Sequence, residues 1–138
     1  DIEKIGWNYY MNQFSAAIGI EQLKKLDTQI KKRRKNAKRY SQELNVNSKM
    51  RFDKDCGYHF YWICVKNREN IMKKLAEFGI ETGIHYNPIH KMNFYKNSKV
   101  NLPITENITK SIISIPCHPN LTENEISFII KKINHLTK

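Results

Sequence analysis

The spacing of apolar residues divides the chain into a helical opening, a mixed middle and a helical close. From about Asn12, residues Phe14, Ala17 and Ile18 mark one face of a helix, and Ala16, Ile20 and Leu23 mark a second. A helix apolar on two faces is covered from two sides, not merely laid on one core. Ala16, Ala17 and Gly19 are small and let another backbone approach. An interior glycine costs roughly 1 kcal/mol against alanine, which points to a packing reason for Gly19. Asp27 and Thr28 are capping residue types, so the pattern predicts a bend or break there. A second helix should then run to about Leu44, with Ile30, Ala37, Tyr40 and Leu44 on one stripe.

Residues 45–57 are polar and turn-rich, with a short strand expected near Met50–Phe52. Tyr58–Val65 is apolar or aromatic at both alternating sets of positions, which describes a central strand covered on both faces. Next comes a helix capped by Asn67, burying Ile71, Met72, Leu75 and Phe78 and ended by Gly79. A strand is expected over Ile80–Ile84, and a short helix near Pro103–Thr105 with Ile104, Ile108 and Ile112 spaced for burial. Ile113–Ile115 reads as a strand stopped by Pro116. Thr122 and Glu125 form a capping box for a last helix striped by Ile126, Ile129, Ile130, Ile133 and Leu136. The fold class is α/β: long N-terminal helices, then a small sheet flanked by helices.

A chain of 138 residues is one domain's worth and can bury a real core. No run of eighteen apolar residues occurs, so nothing is expected to span a membrane. No signal peptide is visible, and an opening on Asp1 suggests a piece of a longer protein. Three cysteines without a C-x-x-C pair fit reduced thiols and a cytoplasmic location. The formal charge of +11 raises the question of nucleic acid. The run KKRRKNAKR, residues 31–39, is where a phosphate-binding patch would lie; the competing reading is a solvated helix face beside an amphipathic stripe.

Candidate chemistry gathers at two places. His85, Tyr86 and His90 lie in HYNPIH, where a strand end opens into a loop, a common position for site residues. Two histidines five apart lack helical metal-pair spacing, and no acidic or cysteine cluster joins them, so no metal site is expected. Asn8 precedes a helix N-terminus, where backbone amides and the helix dipole favour an anion; alternatively it only caps the helix.

Gly6, Asn8, Tyr9, Met11, Ala16, Ala17, Gly19, Gln22 and Leu23 follow the pattern G-x-N-Y-R-M-(x)n-A-A-x-G-x-x-Q-L. With HYNPIH and SIPCHPNLT in the same order, the chain resembles the C-terminal part of the DegT/DnrJ/StrS family. These are pyridoxal-phosphate-dependent aminotransferases of fold type I acting on sugar nucleotides in polysaccharide biosynthesis. Tyr10 stands where the family has Arg. The resemblance implies residues 1–26 as a junction toward a large cofactor-binding domain and residues 27–138 as the small C-terminal domain. It implies amino transfer from glutamate to a keto-sugar nucleotide, with pyridoxal 5'-phosphate as cofactor, in a homodimer. Asn8 would reach the cofactor phosphate of the neighbouring subunit, and His85, Tyr86, His90 and Tyr10 would lie on the substrate side. His118, before the last helix, is read as structural. The lysine that bonds the cofactor lies upstream in the family, so this chain alone is expected to be inactive. The alternatives are a basic nucleic-acid-binding module or a non-catalytic relative.

Overall fold

One helix, α1, runs uninterrupted over Gln13–Glu43 in a computed structural model that describes residues 4, 6–95 and 100–138. Residues 1–3 and 5 of the expected 1–26 junction lie outside the described residues. The break expected at Asp27 or Thr28 is absent. Both residues are exposed within the helix, where each costs only a few tenths of a kcal/mol in propensity. Neither glycine nor proline interrupts the ladder there, so a capping residue type alone does not stop it. Asn12 is the true N-cap: its side chain accepts from the Ser15 amide at 2.9 Å.

Three strands follow the helix in an antiparallel sheet of order β1-β2-β3: β1 is Ser48–Lys49, β2 is Tyr61–Cys64 and β3 is Ile112–Ile115. The first strand lies just before the expected 50–52. The second is central as expected, but only one of its faces is fully covered. Tyr61 and Ile63 are buried, whereas Trp62 and Cys64 are half-buried. The expected strand over Ile80–Ile84 reduces to a single bridge between Gly83 and Ser114. Antiparallel pairing would next bring Glu81 opposite Pro116, which has no N–H to donate.

Helix α2, Arg68–Glu77, starts at Asn67 as expected, although Asn67 adopts φ 51° and its side chain makes no capping bond. Gly79, at φ 73°, closes it in a left-handed conformation that glycine accepts at least cost. The short α3, Pro103–Ile108, forms where expected but leaves Ile104 exposed. Helix α4, Glu123–Leu136, has both bonds of the Thr122–Glu125 capping box and buries Ile126, Ile129, Ile130 and Ile133.

Ala37, Tyr40 and Leu44 of α1 share one core with Tyr61, Ile63, Ile113, Ile115, α2 and α4. Each fully buried large apolar side chain contributes roughly 1.5–3 kcal/mol relative to exposure. Tyr40 also donates its hydroxyl to the Pro116 carbonyl at 2.8 Å, and burial raises its phenol well above the ordinary range. Phe78, expected in the core, is instead partly exposed under the Lys132 ammonium, 3.6 Å from its ring centre. No described helix is long and apolar enough to cross a membrane.

Candidate functional site

The sheet face turned away from this core carries the candidate site. Gly83 pairs with β3 through two backbone bonds to Ser114, of 3.0 and 2.8 Å, and the chain then turns outward at His85. The His85 ring stacks on Phe60 with centres 5.3 Å apart and planes 11° from parallel. Tyr86 meets it edge-on at 5.0 Å and remains mostly exposed. Gly83 makes this seat possible: a Cβ there would lie 2.7 Å from His85 Cε1. The Nδ1 atom of His85 is buried without a partner. A cleft of about 660 Å³ opens beside it, bordered by His59, Phe60, Gly83, His85, Ser114 and His118 among others.

The other expected site residues do not converge on His85. His90 lies in a short 3-10 turn, Ile89–Lys91, and its Nε2 is 3.0 Å from Glu106 Oε1 of α3. Lys91 reaches the second oxygen of the same carboxylate at 3.0 Å. Hydrogen bonds from Lys91 and then His90 hold Glu106 below its ordinary carboxylate range. The His90 ring thus fastens its loop to α3. Asn8 and Tyr10 stand at the exposed start of the chain, where Asn8 Oδ1 accepts from the Tyr10 amide at 3.2 Å. Asn8 therefore caps a turn, four residues before the helix cap. Its Nδ2 makes no bond among the described residues. The His118 carbonyl accepts from Asn36 Nδ2 at 3.2 Å, a structural role, while its ring is exposed at the cleft.

The basic run divides in a way its composition did not reveal. Arg33 Nη1 donates to the carbonyls of Tyr58, His59 and Cys117 at 3.1, 3.1 and 3.3 Å. Arg34 donates to the Cys56 carbonyl at 3.0 Å, and Arg39 binds Glu43, Glu123 and Ser127. Three arginines of the run are therefore internal ties, and Arg33 joins two segments that border the cleft. Gly83 lies two residues before His85, but Phe60 and Ser114 are far off in sequence and come near it only through the folded sheet. Among the described residues, no group of three or more potential ligands is placed to hold a metal ion.

Residues 1–134 match the model of the DegT/DnrJ/EryC1/StrS aminotransferase family. The chain is 30% identical over 141 aligned positions to the UDP-4-amino-4,6-dideoxy-N-acetyl-beta-L-altrosamine transaminase of Campylobacter jejuni serotype O:2, covering 94% of this chain and 38% of that protein. It is 32% identical to the GDP-perosamine synthase of Escherichia coli O157:H7, over 94% of this chain and 37% of that one. The structure superimposes on a DegT DnrJ EryC1 StrS aminotransferase from Brucella abortus with a TM-score of 0.89 at 28% identity, covering 99% of this chain and 39% of that one. The chain thus spans under two-fifths of the length of these relatives.

Proposed function

The chain belongs to the DegT/DnrJ/EryC1/StrS aminotransferase family, and from that premise we propose that it is the C-terminal domain of an enzyme moving an amino group from glutamate to a keto-sugar nucleotide. The observation that carries this reading is the first half of α1. Phe14, Ile18, Ile20 and Leu23 are 84%, 63%, 57% and 69% exposed on a chain that spans 38% of a relative's length. Two apolar helix faces of that extent suit protein contact better than water. We take its occupant to be the large domain or the partner subunit of a cytoplasmic homodimer serving polysaccharide biosynthesis. Residues 1–26 then form the docking part and 27–138 the small domain.

Pyridoxal phosphate, the cofactor of this family, supplies when bound the electron sink for amino-group chemistry. This chain's residues fit one part of it. The unengaged Asn8 Nδ2 is a neutral donor suited to a phosphate oxygen on the neighbouring subunit. No described lysine is buried, and a reactive amine needs a desolvated, positioned site. That lysine is assigned to the large domain, so the 138 residues alone are inactive in this reading. His85 and Tyr86 orient the substrate from the sheet face, Tyr10 contacts it from the chain's start, and His90 supports the loop through Glu106. Of the run that made nucleic acid an alternative, the three arginines are engaged internally, and no observation favours that reading.

The test is transfer of label from [15N]glutamate by the full-length protein to UDP- or GDP-linked keto-sugars, followed by mass spectrometry. An aminated sugar nucleotide carrying the label is expected. Full-length protein loaded with the cofactor that transfers no label to either class would sink the proposal.

A further inference from the structure

We propose that Ser114 is a positioning residue for His85: its hydroxyl donates to Nδ1 of the imidazole and fixes the ring with an Nε2–H directed outward. Among the described residues, two buried side-chain polar atoms lack a partner, and they are His85 Nδ1 and Ser114 Oγ. Their chemistry is complementary. A serine hydroxyl donates and its hydrogen rotates freely, while a neutral imidazole nitrogen accepts. As placed the two do not bond each other; an unpaired polar atom in a buried place is unfavourable, and a turn of the Ser114 side chain that joins them removes both instances at once.

Strand pairing makes the two residues neighbours on one face. Gly83 and Ser114 are directly opposed and exchange both backbone bonds, which places their Cα atoms about 5.5 Å apart with side-chain directions on one face. The His85 imidazole lies over Gly83, where a Cβ would come 3.2 Å from Nδ1. Nδ1 therefore stands over the position next to Ser114, on the Ser114 side of the sheet. Phe60 closes one ring face and Tyr86 the edge, so the ring has little freedom to turn away. Ser114 is itself 5% exposed, too enclosed to act as a nucleophile; it acts only through His85. Nε2 is not among the buried, unpartnered atoms and forms the solvent-reaching edge of the ring. In the aminotransferase reading, on which this consequence rests, His85 offers a neutral N–H to a sugar or phosphate oxygen of the substrate.

The experiment is two-bond 15N–1H correlation on the full 138-residue chain labelled with [15N]histidine, the His85 signals assigned by their loss in His85→Gln. The wild type should show one neutral tautomer, protonated at Nε2, with Nδ1 shifted to lower frequency as a hydrogen-bond acceptor. Ser114→Ala should move Nδ1 to higher frequency while His59, His90, His118 and His135 keep their shifts, which also certifies the fold. Ser114→Thr retains the hydroxyl and should restore the wild-type shift. Gly83→Ala should lose the shifted Nδ1 as well, by displacing the ring. An Nδ1 resonance unchanged by Ser114→Ala, or a wild-type proton on Nδ1, overturns the proposal. No substrate is present, so failure here leaves the aminotransferase reading standing, and failed amino transfer leaves this pairing measurable.

Discussion

Within one continuous helix, residues 29–43 bury Ala37 and Tyr40 completely, whereas residues 13–28 leave Phe14 and Leu23 mostly in water. Both halves carry apolar side chains at helical spacing. What differs is the presence of a partner. The second half is tied into the domain by Arg33, Asn36, Arg39 and Tyr40. Among the described residues the first half makes no side-chain bond to another element, and it extends about 24 Å at 1.5 Å per residue. Periodicity thus reports that a helix has something to bury, and only tertiary contact decides where. The first half is held helical by continuity with the second, since propagation is far easier than nucleation.

Exchanging a large side chain for a small one separates the two halves most strongly. Tyr40→Ala removes a fully buried ring and its bond to Pro116, and should cost about 3–5 kcal/mol in urea unfolding of the chain. Phe14→Ala should change the same measurement by no more than about 0.5 kcal/mol. Equal losses at the two positions would mean that the first half is packed after all.

A smaller effect separates the basic residues. Arg33→Ala leaves three carbonyls without their charged donor and should cost about 1.5–3 kcal/mol. The neighbouring Lys31→Ala, on the exposed side, should stay within about 0.5 kcal/mol. The assay is again denaturant unfolding, and a large loss for Lys31→Ala would contradict the division of the run.

Self-association sharpens the same contrast from the other side. The chain alone should associate in a concentration-dependent manner through the exposed apolar faces of α1. Ile18→Asp with Leu23→Asp should reduce this in sedimentation velocity while leaving the unfolding midpoint nearly unchanged. Association that survives the double substitution would place the sticky surface elsewhere.

The smallest expected effect is a pH dependence. Hydrogen bonding to Arg39 holds Glu43 below its ordinary carboxylate range; bonds from Lys35 and then Arg39 do the same for Glu123. A depressed folded-state value stabilises above the unfolded value of about 4.3. That contribution is lost as pH falls through the folded value, because the unfolded chain then binds the proton first. Both carboxylates are largely solvated, so the loss should be slight. Thermal midpoints of wild type and Arg39→Met should converge as pH is lowered below about 4; a constant difference would remove this network from the acid response.

Much of this fold could be read from the chain. The capping box at Thr122, the isoleucine stripe of α4 and the proline stop after β3 are local signals, and they appear as expected. The missed helix break and the shortened 80–84 strand failed for opposite reasons. Asp27 and Thr28 are tolerated inside a helix that nothing else stops, while pairing beyond Gly83 needs an amide that Pro116 lacks. Of the candidate site, His85 could be picked out by its loop, but its seat could not. Phe60, which stacks on it, lies 25 residues away in sequence, and Ser114, which pairs with Gly83 beside it, lies 29 away. The His90 bond to Glu106 is likewise long-range, and so are the side-chain hydrogen bonds of Arg33.

In the proposed enzyme the opening stretch completes a cofactor site in a neighbouring subunit. Equilibrium titration of pyridoxal phosphate into the full-length apoenzyme, wild type against Asn8→Ala, tests this most directly. Loss of one hydrogen bond to a charged group costs about 1.5–3 kcal/mol. That corresponds to a Kd weakened roughly tenfold to a hundredfold, with the unfolding profile of the apoenzyme unchanged. Indistinguishable Kd values would reduce Asn8 to the turn cap it forms with Tyr10 and contradict the assigned role.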